Sequence, residues 1–414
     1  MRGAVWVALT AVCASGCSDG VWLSFAAVRP PIRVGLLHSK TGSMRISEES
    51  MVEAEILALE QINREGGLLG RPVEWFVADG RSDPETFARE AERLIRDAKV
   101  AVVIGCWSST CRKRVVPVVE REKHLLLYPV AYEGLEQSPN VVYTGAAPNQ
   151  QIIPTVTWCS RELKAKTFYV VGSDSVWSRS VGAIIRDELK AIGAKSAGEE
   201  YLGETAAAGD YNAAAGRAVA AKADVLLNCL EGESNIPFYL ALRAAKATPT
   251  TLPVVNFAIA EDEFRKFPAG VLTGDYAVCN YFQAIATPEN EAFVRAFKAR
   301  YGADRVTSDS IATAYNSVRL WAQAVREAGV AEVRDVLPLL LHQSLNAPEG
   351  VISVDRESRH TWRPFFVGKI RGDGQVDVVY SLVKAIRPGP FPFSRSRAEW
   401  LTFLGTLKTA GRGG

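Results

Sequence analysis

Two short stretches carry residue types that could hold a small polar molecule. They are Gly105-Cys106-Trp107-Ser108-Ser109-Thr110 and Tyr128-Pro129-Val130-Ala131-Tyr132-Glu133-Gly134. Small polar residues where a strand hands over to a helix leave several backbone N–H groups unpaired and aimed at one point. Further along, Gly172-Ser173-Asp174-Ser175-Val176-Trp177-Ser178 and Gly232-Glu233-Ser234-Asn235 repeat the mixture of hydroxyls, amides and aromatic rings. The candidate ring is Ser108, Ser109, Tyr128, Tyr132, Asp174, Trp177, Ser234 and Asn235, with Trp107, Val130, Ser175 and Gly232 beside them in the same loops. Aromatic walls with a few polar groups describe a binding cleft. They equally describe ordinary strand-to-helix loops.

Bond-making chemistry finds no support. The chain has no G-x-S-x-G, H-E-x-x-H, Walker A or G-x-G-x-x-G pattern. Gly66-Gly67-Leu68-Leu69-Gly70 follows a helical run, so it reads as a turn and not a phosphate cradle. His38, His124, His342 and His360 are scattered without partners at ligand spacing, so neither a metal nor a cofactor is expected. Glu261-Asp262 reads as an exposed helix start.

The elements around these loops follow an alternating pattern. Strands are expected at Ile32–Leu36, Val73–Asp79, Val100–Ile104, His124–Leu127, Thr167–Val171, Asp224–Cys229 and Val254–Phe257. Between them run helical segments. One is capped by Ser47 and buries Val52, Ile56, Leu59 and Ile62; one is opened by Asp83-Pro84; one covers Thr110–Lys123, one Ser180–Ile192 and one Ile236–Ala245. Repeated strand–loop–helix units imply parallel sheets with helices on both faces, and ligands then sit beyond the carboxyl ends of the strands. A late helix carries Ile311, Tyr315, Val318 and Val325, and strands at Val351–Val354, Phe365–Ile370 and Val376–Tyr380 suit a hairpin closed at Arg371-Gly372-Asp373-Gly374. From Ile386 on, Pro, Arg, Ser and Gly dominate, and a surface-hugging or partly loose tail is expected.

The chain's 414 residues suffice for two lobes, and 48% hydrophobic with 23% charged residues suits a globular protein with real cores. A net charge of +2 with Lys and Arg scattered among Asp and Glu gives no reason to expect nucleic acid as a partner. After Met1-Arg2 an apolar run leads to Ala14-Ser15-Gly16-Cys17, which looks like a lipoprotein cleavage box with Cys17 as the lipidated residue. That run is too short to span a membrane. An ordinary cleaved signal or an uncleaved anchor reaching Val28 are the other readings. Of seven cysteines, Cys106, Cys111, Cys159, Cys229 and Cys279 lie beyond the leader; a Cys106–Cys111 bridge and small buried thiols both fit them.

Ile62-Asn63-Arg64-Glu65-Gly66-Gly67-Leu68-Leu69-Gly70-Arg71-Pro72, with Asp79 and Asp83-Pro84, resembles the first lobe of type I periplasmic binding proteins. Gly105-Cys106-Trp107 with Arg112-Lys113, Tyr128-Pro129, Tyr132-Glu133-Gly134, Ala147-Pro148-Asn149-Gln150-Gln151, Gly172-Ser173-Asp174, Asn280-Tyr281-Phe282-Gln283, Ala347-Pro348-Glu349-Gly350 and His360-Thr361-Trp362 resemble its urea and short-chain amide branch. The similarity runs over roughly 31–400. It implies an α/β, two-lobed Venus-flytrap, each lobe a mainly parallel sheet with helices on both faces. Lobe one would comprise 31–147 and 279–345, and lobe two 148–278 and 346–385, after a leader at 1–30 and before a tail at 386–414.

The resemblance also implies a function: a non-enzymatic, lipid-anchored extracytoplasmic protein that captures urea or a small neutral amide and delivers it to the permease subunits of an ABC importer. An amide sensor of the same fold and a branched-chain amino acid binder are the alternatives. Ser109 and the backbone of 107–109 would hold the ligand from lobe one, Tyr128 and Val130 would line the floor, and the Gly172-Ser173-Asp174 loop would close from lobe two. Urea and amide binders usually carry Tyr after the Ser-Asp pair and an aromatic residue two positions on; Ser175 and Trp177 stand there, and Ala131 is smaller than the usual residue, so the resemblance implies that the vacated tyrosine enlarges the pocket or admits water.

Overall fold

The computed structural model describes residues 29–410. Cys17 and nearly all of the expected 1–30 leader lie outside the described residues, as do 411–414. The first sheet is built from β1 (Ile32–His38), β2 (Val73–Asp79), β3 (Val102–Gly105), β4 (Leu126–Tyr128) and β5 (Val141–Tyr143). Its order is β2-β1-β3-β4-β5 and every pairing is parallel. All four residues of β3 are buried, as a strand covered on both faces requires. Helices Arg45–Arg64 and Asp309–Ala328 cover one face through Leu57, Ile62, Ile311, Val318 and Trp321. Helices Pro84–Arg96 and Ser109–Arg121 cover the other through Phe87, Leu94, Val115 and Val119.

The second sheet contains β6 (Thr167–Ser173), β7 (Lys195–Leu202), β8 (Val225–Cys229), β9 (Val254–Asn256), β10 (Tyr276–Cys279), β11 (Ser344–Ala347), β12 (Gly350–Val354), β13 (Thr361–Ile370) and β14 (Val376–Ile386). Strands β7-β6-β8-β9-β10 run parallel. They continue into antiparallel β13, β12 and β11, with β14 also on β13. The β13–β14 turn passes through Gly374 at φ +75°, a left-handed position that glycine takes without a Cβ penalty.

The chain leaves the first sheet after β5, builds β6–β10, returns as helix Asp309–Ala328 to cover the first sheet, then goes back for β11–β14. The crossings are fastened by buried amides. Gln150 Nε2 donates to the carbonyls of Thr361 (2.9 Å) and Ile386 (2.7 Å). Gln151 Nε2 donates to those of Phe257 (3.0 Å) and Val278 (2.8 Å).

Three local expectations change. Ser47 does not cap its helix; the N-cap is Met44, and Ser47 sits inside the first turn with its hydroxyl turned to another partner. Glu261 does not stand at an exposed helix start: it is fully buried in the short helix Glu261–Phe264. The segment from Ile386 is more ordered than its composition suggests. Helix Arg397–Ala410 docks with Trp400 fully buried, its indole N–H donating to Pro392 O at 2.9 Å. Trp400 and Leu404 share one helical face, a signal too short to stand out among Pro, Ser and Arg. The five described cysteines are free and buried.

Candidate functional site

Loops at the carboxyl ends of strands from both sheets meet at one cleft. Its lining combines Trp107 and Ser109 after β3, Val130 and Ala131 after β4, Trp177 after β6, Glu231 after β8, and Phe257 to Ala260 with Asp262 and Glu263 after β9. Ser47, Gln151, Cys279, Asp309 and Ser310 complete it. The cleft encloses about 650 Å³ of empty space, its open mouth included. Gly105 at φ +142° makes the entry loop possible: a Cβ there would lie 2.0 Å from Leu37 O.

Of the residues expected from sequence, Trp107, Ser109, Val130 and Trp177 line this cleft. The others stand behind or beside it. Ser108 caps helix Ser109–Arg121 by accepting from Cys111 N at 3.1 Å. Tyr128 is buried and donates its hydroxyl hydrogen to Trp107 O at 2.6 Å, holding the indole loop from below. Tyr132 bonds His360 Nε2 at 2.5 Å inside a stack of Tyr132, Tyr143 and His360 rings. Burial pushes His360 down to about 4, so its ring is neutral and can accept that proton. Asp174 is half exposed and pairs with Arg179 at 2.5 Å, away from the lining. Ser175 caps helix Val176–Ala191 and donates to Glu231 Oε2. Gly232, at φ +57°, brings its backbone against Ser43 and Met44, leaving 3.2 Å between a hypothetical Cβ and Met44 Cε. Ser234 precedes helix Asn235–Ala244 without capping it. Asn235 is buried and donates to Leu230 O and Gly232 O, fixing the loop that carries Glu231.

Sequence reasoning missed the carboxylates. Glu231, Asp262, Glu263 and Asp309 all face the cleft, and no Lys, Arg or His lines it. Burial pushes Glu231 up to about 7, with Ser175 opposing and Glu133 adding to the shift. Asp262, Glu263 and Asp309 are also raised by burial. Asp309 is paired with buried Arg363 at 3.1 Å, an arginine that Glu349 shares at 2.9 Å. Glu231, Asp262 and Glu263 form no ion pair among the described residues. The usable signal was position: Glu231 directly follows Leu230 at the end of β8, where a loop residue faces a cleft.

Behind Ser109 lies a closed charge network. Arg112 is fully buried, reaches Glu133 Oε1 and Glu136 Oε1 at 2.9 Å each, donates to Ser109 Oγ at 3.1 Å, and stacks 4.4 Å over the Tyr132 ring. The Ser109 hydroxyl donates to Glu133 Oε2. A second buried network sets His38 between Glu48 (3.1 Å) and Glu55 (2.9 Å). Burial works against a charge on His38, but Glu55 and Glu48 outweigh it and raise the ring to about 10. No group of three or more metal-ligating side chains occurs among the described residues.

Residues 32–397 match the family model of the periplasmic binding protein domain. The chain belongs to the periplasmic binding proteins. The leucine-, isoleucine-, valine-, threonine- and alanine-binding protein of Pseudomonas aeruginosa is 22% identical over 339 residues, covering 81% of this chain and 88% of that one. A solute-binding protein of an ABC transporter from Rhodopseudomonas palustris, solved with 3,4-dihydroxybenzoic acid, superposes with a TM-score of 0.77 at 19% identity, covering 86% of this chain and 98% of that chain. The branched-chain amino acid binding protein LivJ of Streptococcus pneumoniae, solved with isoleucine, gives 0.74 at 18% identity, covering 86% and 100%. This binding protein therefore has the type I fold. A limonene hydroxylase of Geobacillus stearothermophilus is 31% identical over 117 residues only; the match spans 28% of this chain and 21% of that protein. No described helix of the binding protein is long and apolar enough to cross a membrane.

Proposed function

We propose that this binding protein is the extracytoplasmic solute-binding component of an ABC importer, and that its solute presents N–H groups to the cleft between Trp107 and Trp177. The observation that carries this reading is the lining itself: two indoles and Phe257 as walls, with Glu231 and Glu263 as acceptors contributed by loops after β8 and β9. Flat apolar walls hold the body of a small solute, and a few placed polar groups orient it. Amide and amine nitrogens both satisfy those acceptors. Urea itself fits less well than a larger solute. The Asp174 carboxylate that would have received its hydrogens is paired with Arg179 outside the lining. Urea's four or so heavy atoms would also leave most of the cleft unfilled, for a ceiling of about 6 kcal/mol.

Calorimetry against urea, acetamide, isoleucine and simple amines tests the reading. One solute per chain with a heat of binding supports it; no heat with any of them rejects it. We also propose that Cys17 carries a lipid anchor. Metabolic labelling with palmitate should mark the wild type and not Cys17→Ser; equal labelling would reject the anchor.

A further inference from the structure

Hydrogen-bond accounting narrows the solute further. Gln151 lines the cleft and is 5% exposed. Both hydrogens on its Nε2 are donated to the carbonyls of Phe257 and Val278, so only its oxygen, which has no partner among the described residues, is free to meet a ligand. Ser109 has given its hydroxyl hydrogen to Glu133, and Ser47 has given its own to Glu263. Each presents lone pairs. Glu231, Asp262 and Glu263 add three carboxyl groups, whose tightly held protons a bound cation would displace, leaving acceptors. Ser310, the two indoles and the backbone N–H at the start of helix Ser109–Arg121 keep hydrogens, but the lining sets several carboxyl groups and no basic side chain beside them.

Nor is a cationic side chain spare nearby. Arg112 is taken by Glu133 and Glu136, and Arg363 by Asp309 and Glu349. Lys266, which Asp262 feels, donates to Ile46 O at 2.7 Å and does not line the cleft. The Ser109 hydroxyl at the helix start is already engaged with the Glu133 carboxylate. A ligand carboxylate would meet Glu231, Asp262 and Glu263 with no opposing charge, a costly arrangement in a desolvated site.

We propose that the ligand is a small organic cation rich in N–H donors and lacking a carboxylate: a primary amine, a diamine or a guanidino compound. This rests on the cleft being the solute site. It separates the protein from relatives solved with an amino acid or an aromatic acid.

Tryptophan emission of the full chain, titrated with putrescine, agmatine, isoleucine, benzoate and acetamide, tests it. An amine or guanidino compound should bind at least about tenfold tighter than the other three, and Glu231→Gln should weaken that binding about tenfold while leaving the melting temperature within a few degrees. Should Glu231→Gln fail to fold, Glu263→Gln serves in its place. Isoleucine, benzoate or acetamide binding tightest would overturn the cation assignment and leave the importer reading standing. No response to any compound would overturn both.

Discussion

The Ser47 hydroxyl donates to Glu263 Oε1 at 2.5 Å, joining the helix that covers the first sheet to the loop after β9 in the second. Both residues line the cleft, so this bond closes its rim. Lys266 Nζ, donating to Ile46 O at 2.7 Å, is a second fastening beside it.

Removing the hydroxyl should loosen the rim without unfolding either half. A hydrogen bond to a carboxyl group held protonated by burial is worth about 0.5–1.5 kcal/mol, so Ser47→Ala should speed ligand release by several-fold. Stopped-flow fluorescence measures the rate; an unchanged rate would show that the bond does not hold the closed form.

Trp177→Ala removes one indole wall. Ligand affinity should fall by at least about tenfold, since burying an aromatic face contributes on the order of 2 kcal/mol. Calorimetry checks this, with Trp107 retained as a fluorescent reporter of closure. Unaltered affinity would place the ligand elsewhere.

Stability should depend on pH with a definite sign. Burial raises Glu231 to about 7 and Glu261 to about 8, while His38 is carried to about 10 by Glu55 and Glu48 against its burial. Each group holds its proton more tightly folded than unfolded. Their contributions are whole below the unfolded values and are lost as pH rises through the folded ones. The unliganded protein should therefore melt at steadily lower temperature between about pH 6.5 and pH 10; below that His360, pushed down to about 4 by burial, contributes the opposite slope. Glu136, held near 2 by Arg112 and Lys113 despite its burial, contributes the opposite slope in acid. Scanning calorimetry across the range checks both; a flat melting temperature above about pH 6.5 would contradict the account of these buried groups.

Trp400→Ala should cost about 3–5 kcal/mol, the usual range for emptying a buried aromatic site. The helix that carries it packs on helix Val176–Ala191 and contributes no residue to the cleft lining, so affinity should be preserved in the folded fraction. Urea denaturation measures the loss. A variant as stable as the wild type would mean that the C-terminal helix is dispensable.

Most of the first sheet was legible because β1, β3 and β4 are buried runs of Val, Ile and Leu, and because Asp83-Pro84 opens one of its helices and Gly66-Gly67 closes another. Strand β7 was not, since Lys195, Ser196, Glu199 and Glu200 give it the look of an exposed loop; it is an edge strand. Ser109 and Trp177 were legible from loop position, and Trp107 and Val130 from the family resemblance. Asp174, Ser175 and Asn235 sit in such loops too, but local partners claim them: an arginine, a helix cap with Glu231, and the backbone of their own loop. Which way a loop side chain points is decided by tertiary partners far along the chain. The acceptor character of Gln151 illustrates this, for it depends on carbonyls at 257 and 278.

The most direct measurement is a crystal structure of the protein with its tightest-binding solute. Density should lie between Trp107 and Trp177, with a ligand nitrogen in hydrogen-bond reach of Glu231. Density in the groove lined by Phe264, Phe267 and Ile370, or anywhere else on the surface, would contradict the account.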